Sequence, residues 1–268
     1  MVISILGCGW YGMALAGELV EQGIAVKGST TSEQKLTKFA DVGVQPYLVQ
    51  ISAESESFDP QFFECDVLFI SIPPRFRKGE TAGYTSKLQR IIQAIQQYQI
   101  SKVIYISSTG VYGDHNSVAD ELTDTAPETE SGFVLLEAEQ ILQQQTSFKT
   151  TILRFGGLVG PGRHPGRFFA GKKDIPNGRA PVNLIHLDDC IGISISILKQ
   201  NAFGFVFNAC SPDHPAKADF YCHAALQAGL PVPEFLDELD RWKVVNSINL
   251  SAILHYEFKV DSWLNCSF

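Results

Sequence analysis

The sequence predicts an α/β fold, a doubly wound parallel sheet with a small C-terminal α+β lobe. Three observations predict it. Short Val/Ile/Leu runs alternate with amphipathic helical stretches over the first two-thirds of the chain. Those runs are apolar on both faces, as strands of a parallel sheet covered by helices must be. A glycine-rich turn follows the first run and opens the first helix.

The elements follow in order. Val2–Leu6 reads as a strand and Gly12–Gln22 as a helix ended by Gly23. Ile24–Gly28 is the second strand, and Thr31–Phe39 a helix opened by a hydroxyl cap. Pro46–Ile51 is the third strand; Asp66–Ile72 is the fourth, stopped by Pro73 and Pro74. Tyr84–Tyr98 is a helix with Leu88, Ile91, Ile92 and Ile95 on one face. Lys102–Ser107 is the fifth strand, Ser131–Gln145 a helix and Thr150–Phe155 the sixth strand. Gly and Pro then dominate up to Pro181, before a helix near Asp188–Lys199 and a strand at Gly204–Asn208. This places a dinucleotide-binding domain over 1–158, with 182–210 returning to it. The lobe takes 159–181 and 211–268.

Composition narrows the function. Hydrophobic residues are 45% and charged residues 19% of 268, enough apolar content for a core. With 21 Lys+Arg against 29 Asp+Glu the net charge is −8, which disfavours nucleic acid and anionic membranes as partners. An anionic ligand must therefore be held by a local patch. The six cysteines form no CxxC pair, so the expectation is reduced thiols, no metal site and a cytoplasmic location. The apolar N-terminal stretch has no basic start, its first Lys being Lys27, and Glu18 and Glu21 interrupt it, unlike a signal peptide.

Gly7-Cys8-Gly9-Trp10-Tyr11-Gly12 is a GxGxxG between a strand and a helix. Gly7 would make the tight turn, Gly9 admit a pyrophosphate, and Gly12 let helix and strand pack closely. The helix N-terminus adds free N–H groups and partial positive charge. The ribose-reading carboxylate expected about 20 residues on is missing: the second strand ends Lys27-Gly28-Ser29-Thr30-Thr31, with Lys35 beyond. Hydroxyls, amides and a lysine suit a 2′-phosphate, so NADP is expected, with NAD as the alternative and a flavin as a further occupant of such a cradle.

Ser107-Ser108-Thr109-Gly110-Val111-Tyr112-Gly113, Gly160-Pro161-Gly162-Arg163 and Val182-Asn183-Leu184-Ile185-His186-Leu187-Asp188-Asp189 complete a pattern over nearly the whole chain. It resembles the extended short-chain dehydrogenase/reductase family, which includes nucleotide-sugar epimerases and dehydratases. The run GLVGPGRHPGRFFAGK (157–172) is similar to the atypical YeeZ-like branch. The resemblance implies a Rossmann domain binding NAD(P), a lobe binding substrate, and a Ser or Thr at position 108. It also implies a Tyr-x-x-x-Lys on the next helix, the phenol as acid/base. The expected cofactor contacts are Gly7, Gly9, Trp10, Tyr11, Gly12, Ser29, Thr30, Thr31, Lys35, Ile72, Pro73, Ser107, Phe155 and Gly156.

The sequence departs from that pattern. In one register the family Tyr and Lys fall on Ser131 and Leu135; in the other, on Phe133 and Glu137. The literal Tyr98-x-x-x-Lys102 lies at the far end of the sheet from the glycine turn. Thr109 and Gly110 stand where family dehydratases carry Asp-Glu, which argues against that chemistry. The remaining catalytic candidates are Ser108, Tyr112 and His186, each also readable as a loop or cap residue. His164, Arg163 and Arg167 are candidate substrate ligands within a basic run that includes Lys172, Lys173 and Arg179. Two readings stand. One is an NAD(P)-dependent enzyme acting on an anionic small molecule with non-standard acid/base chemistry. The other is a non-catalytic dinucleotide-binding sensor or scaffold. By family analogy alone, the helices at 84–98 and 131–145 would pair two copies into a homodimer.

Overall fold

In the computed structural model, residues 1–74, 81–266 and 268 are described. The chain begins β1 (Val2–Leu6), α1 (Trp10–Glu21), β2 (Ala25–Thr30), α2 (Thr37–Ala40) and β3 (Gln45–Leu48). A short hairpin, β4 (Gln50–Ile51) and β5 (Glu56–Ser57), leads to β6 (Val67–Ile70) and α3 (Thr81–Gln97). Then come β7 (Lys102–Ser108), β8 (Ser117–Ala119), α4 (Glu130–Gln143), β9 (Lys149–Phe155) and β10 (Gly157–Val159). The last third holds β11 (Leu184–His186), α5 (Leu187–Gln200), β12 (Val206–Ala209), α6 (Lys217–Gln227), β13 (Lys243–Val245) and α7 (Asn249–Ala252).

Seven strands form a parallel sheet in the order β12-β9-β7-β6-β1-β2-β3. From β1 the chain steps outward to β2 and β3, then crosses back to β6 on the other side of β1. That reversal opens a crevice at the carboxyl ends of β1 and β6, where ligands bind in open α/β sheets. The strands are apolar because both faces are covered: Ile3, Ile5, Val67, Leu68, Phe69 and Ile70 are all buried. Ser4, polar but fully buried in β1, donates its hydroxyl to the Phe62 carbonyl at 2.5 Å.

Helices cover the two faces by their apolar stripes. Leu15, Ala16 and Leu19 of α1 pack with Ile193 and Ile197 of α5 on one face. Leu88, Ile91, Ile92 and Ile95 of α3, the face expected from periodicity, pack with Ala138 and Leu142 of α4 on the other. Thr129 caps α4 through the Gly132 N–H (3.1 Å), and Asn201 ends α5 in the left-handed region (φ 53°).

Two elements differ from the sequence expectation. The helix expected at Thr31–Phe39 is a 3₁₀ turn, Glu33–Lys35, followed by the single turn of α2. Ser32 at its start makes no side-chain capping bond. The expected strand Pro46–Ile51 divides into β3 in the main sheet and β4 in the hairpin. Two small parallel pairs, β10–β11 and β8–β13, are built from three-residue strands, too short to show a period in the sequence. The C-terminal segment is tied back by the fully buried Asp189, which accepts from Tyr256 Oη (2.9 Å) and from the N–H groups of Lys259 (2.7 Å) and Val260 (3.3 Å). No helix among the described residues is long and apolar enough to cross a membrane.

The carboxyl ends of β7 and β9 are braced by a buried ion pair. Arg154 on β9 donates to Glu139 on α4 from Nε (3.1 Å) and Nη2 (2.6 Å). Glu139 also accepts the Ser107 hydroxyl at 2.5 Å, and Arg154 Nη1 donates to Tyr112 Oη at 2.6 Å. Removing one partner strands a charge in the interior. Glu139→Ala should lower the unfolding free energy in urea by about 3–5 kcal/mol, and Glu139→Gln by less. A loss below 1 kcal/mol for the alanine variant would show that the pair does not brace the sheet.

Candidate cofactor and substrate cleft

The turn after β1 is shaped by steric necessity. Gly7 sits at φ +97°, and a Cβ there would lie 2.7 Å from the Ile72 side chain and 2.8 Å from the Ser71 carbonyl oxygen. A Cβ on Gly12 would lie 2.8 Å from the Gly7 carbonyl oxygen, so α1 reaches β1 this closely only without a side chain there. Around Gly9 the space is open, with nothing within 4 Å of its Cβ position. The Gly7 N–H is taken by Ser29 Oγ (2.9 Å) and the Cys8 N–H by the Ser29 carbonyl (3.0 Å). The first-turn N–H groups of α1, from Trp10 to Gly12, have no acceptor within the helix. They open onto the unobstructed side, as a diphosphate cradle requires. Burial pushes the neighbouring Cys8 thiol up to about 12, so it stays neutral and does not repel an anion.

Two cavities meet at this turn. One, of about 180 Å³, is lined by Gly7, Cys8 and Gly9, by Ser29, Thr30, Thr31 and Lys35 after β2, by Ser71, Ile72 and Pro73 after β6, and by Lys87 of α3. Among its described lining residues there is no carboxylate. The other, of about 420 Å³, runs along Trp10, Ser71, Pro73 and Pro74 to Ile106, Ser107 and Ser108 at the end of β7. Ser131 and Leu135 of α4, Phe155, Gly156, Leu158 and Arg163 close it. The two spaces share Gly9, Ser71 and Pro73, and so adjoin at the switch point.

A family model for NAD(P)H-binding proteins matches residues 7–183. The chain belongs to that NAD(P)H-binding family. Protein YeeZ of Escherichia coli (strain K12) is 36% identical over 263 residues, spanning 96% of this chain and 95% of that protein. Among solved structures, a functionally unknown conserved protein from Silicibacter pomeroyi superposes with a TM-score of 0.80 at 23% identity, covering 98% of this chain and 95% of that one. UDP-glucuronic acid 4-epimerase from Bacillus cereus, in complex with NAD, gives 0.81 at 17%, covering 98% and 94%. These likenesses bear out the Rossmann-type fold, and the match to YeeZ bears out the resemblance to a YeeZ-like branch.

As a member of the NAD(P)H-binding family, the chain distributes its sequence-predicted site residues unevenly. Gly7, Gly9, Ser29, Thr30, Thr31, Lys35, Ile72 and Pro73 meet in the smaller cavity; Trp10, Ser107, Ser108, Phe155, Gly156 and Arg163 meet in the larger. Ser108 Oγ also accepts from the Gly110 N–H at 3.1 Å, which caps the 3₁₀ turn after β7. The Tyr11 side chain turns into the core, its phenol 2.6 Å from Ser194 Oγ and its ring edge-on to Phe155. What Tyr11 presents to the turn is backbone.

Three candidates take structural positions instead. Tyr112, 3% exposed, bonds Asp120 O (2.8 Å), Asn208 Oδ1 (3.1 Å) and Arg154, and burial raises its pKa. It lines neither cavity, because the loop after β7 turns its ring inward. His186 is buried, and its Nδ1 accepts from the Asp188 N–H at 3.2 Å, capping α5. His164 caps a 3₁₀ turn through the Gly166 N–H (3.1 Å); burial, then Arg167, lowers its pKa. The basic run does not converge. Lys173 pairs with Glu234 (2.8 Å) and Arg179 with Asp237, Lys172 lies over Phe169, and exposed Arg167 lines neither cavity. Arg163 alone of the five lines the cleft, its guanidinium 5.4 Å from the Trp10 ring centroid. Trp10 is fixed by its Nε1–H to the Pro161 carbonyl at 2.8 Å.

Sequence reasoning missed Ser71, Lys87, Ile106 and Leu158. Ser71 and Ile106 sit at strand ends and follow from the switch-point rule. Lys87 carries no local signal; the docking of α3 against the β4–β5 hairpin brings it to the cavity. Gly12→Ala should weaken NADPH binding by at least about tenfold in calorimetry, since α1 must withdraw from the Gly7 carbonyl and take its N–H groups with it. Unchanged affinity in a folded variant would mean that the turn does not hold the phosphates.

Proposed function

We propose that the protein is an NADP(H)-dependent oxidoreductase of an anionic small molecule, acting without the phenol–ammonium pair of its relatives. One observation carries the cofactor choice: the cavity beyond β2 joins Thr30, Thr31, Lys35 and Lys87 with no carboxylate among its described lining residues. A 2′-phosphate finds hydroxyls and positive charge there, whereas a bare ribose finds none of the acidic partners that suit it.

When bound, the nicotinamide dinucleotide supplies hydride exchange. The chain's own residues do the rest. The α1 N-terminus holds the diphosphate, and Ile72, Pro73, Phe155 and Gly156 wall the dinucleotide along the strand ends. Ser108 and Ser131 offer hydroxyls to a reacting oxygen. Arg163 holds an anionic group at the cleft's edge. Ser131 and Leu135 both line the cleft, while Phe133 and Glu137 are exposed, which supports the first of the two registers on α4. A serine hydroxyl and an isobutyl group thus stand where relatives place phenol and ammonium. The free cysteines fit a reducing cytoplasm, and the homodimer through α3 and α4 belongs to the same reading.

A dinucleotide sensor is the second reading, favoured by one observation: among the described side chains lining the larger cavity, none is a carboxylate, imidazole or thiol. Both readings require the 2′-phosphate site. Lys35→Ala should lower the NADPH-to-NADH affinity ratio about tenfold by losing one charge-assisted contact, as read by cofactor fluorescence titration. An unchanged ratio would remove the NADP assignment.

A further inference from the structure

The larger cavity is polar at few points and apolar along its length. Trp10, Ile106, Leu135, Phe155 and Leu158 supply its walls. Its described polar side chains are Ser71, Ser107, Ser108, Ser131 and Arg163, since the Tyr11 phenol is turned into the core onto Ser194. The Ser107 proton is committed to Glu139 at 2.5 Å, and the Ser131 hydroxyl lies 3.0 Å from Thr129 Oγ1. A sugar ring carries a hydroxyl on nearly every carbon, and each one buried without a partner costs binding free energy. Among its described lining residues there are too few partners for such a ring. They carry one full positive charge, Arg163, whose guanidinium lies 5.4 Å from the ring centroid of an indole with its own N–H on Pro161. A guanidinium forks onto a carboxylate through two parallel N–H groups. The serine hydroxyls can hold an oxyanion by hydrogen bonds, and no carboxylic acid is among the described lining residues to protonate it. A conjugated body spreads such a charge; a saturated ring does not.

We propose that this cleft binds a planar, conjugated carboxylate, with the carboxylate on Arg163 and the flat body between Trp10 and the wall of Ile106, Leu135 and Leu158, in preference to a nucleotide sugar. This rests on the reading of the cleft as a substrate site beside the dinucleotide and names its substrate class.

The test is calorimetry on the full chain, with and without NADPH, using 2-naphthoate, its neutral analogue 2-naphthalenemethanol, and UDP-glucose. The expected result is that 2-naphthoate binds tightest of the three. Arg163→Ala then weakens it about tenfold and leaves the neutral analogue unchanged; Arg163→Lys, which keeps the charge without the fork, falls between. Leu135→Asn weakens both aromatic probes. The inference is overturned if UDP-glucose binds more tightly than 2-naphthoate, if 2-naphthoate does not bind, or if its affinity is the same in Arg163→Ala. Arg163 is exposed, so its variants do not depend on a refolded core. NADPH binding without 2-naphthoate binding defeats this inference alone; 2-naphthoate binding without NADPH binding defeats the cofactor reading and leaves the cleft's preference standing.

Discussion

The closeness of α1 to the end of β1 is the constraint from which the rest follows. Gly12 lies so near the Gly7 carbonyl that no side chain fits between them. That contact brings the N-terminal N–H groups of α1 to the crevice between β1 and β6. Both cavities branch from this point: one toward the hydroxyls and lysines around the end of β2, the other toward the serines that end β7. Were α1 to stand farther off, the two would be unconnected depressions on a sheet edge.

The substrate side depends on a second device, further from the ligands. Ser107 and Ser108 end β7 where pairing with β6 has stopped at Tyr105 and pairing with β9 alone continues, so their position needs a second support. The Arg154–Glu139 pair fixes it, linking β9, α4 and the hydroxyl of Ser107. Tyr112 and Asn208 extend the network to the loop after β7 and to β12. These bonds tie the VYG tyrosine, and with it the loop after β7, to the buried ion pair.

The sheet, its main helices and the glycine turn were legible in the sequence because long apolar runs and a steric requirement leave local marks. The roles of Tyr112 and His186 were not. A tyrosine or histidine reads as chemistry until its neighbours are known, and those neighbours, Arg154 and Asn208 for one and the Asp188 N–H for the other, are set by tertiary packing. The basic run from Arg163 to Arg179 looked like one patch for the same reason. Its side chains leave a winding loop in different directions, and acidic residues from 234–237, distant in sequence, neutralise two of them. The 3₁₀ turn at Glu33–Lys35 escaped notice because a hydroxyl-led polar stretch opens a helix and a tight turn alike.

A crystal soaked in NADPH tests the central claim most directly. The account predicts a diphosphate seated on the backbone N–H groups at the start of α1, with the 2′-phosphate between Lys35 and Lys87. A dinucleotide bound elsewhere while this turn stays vacant would contradict it, and the enzyme and sensor readings would fall together.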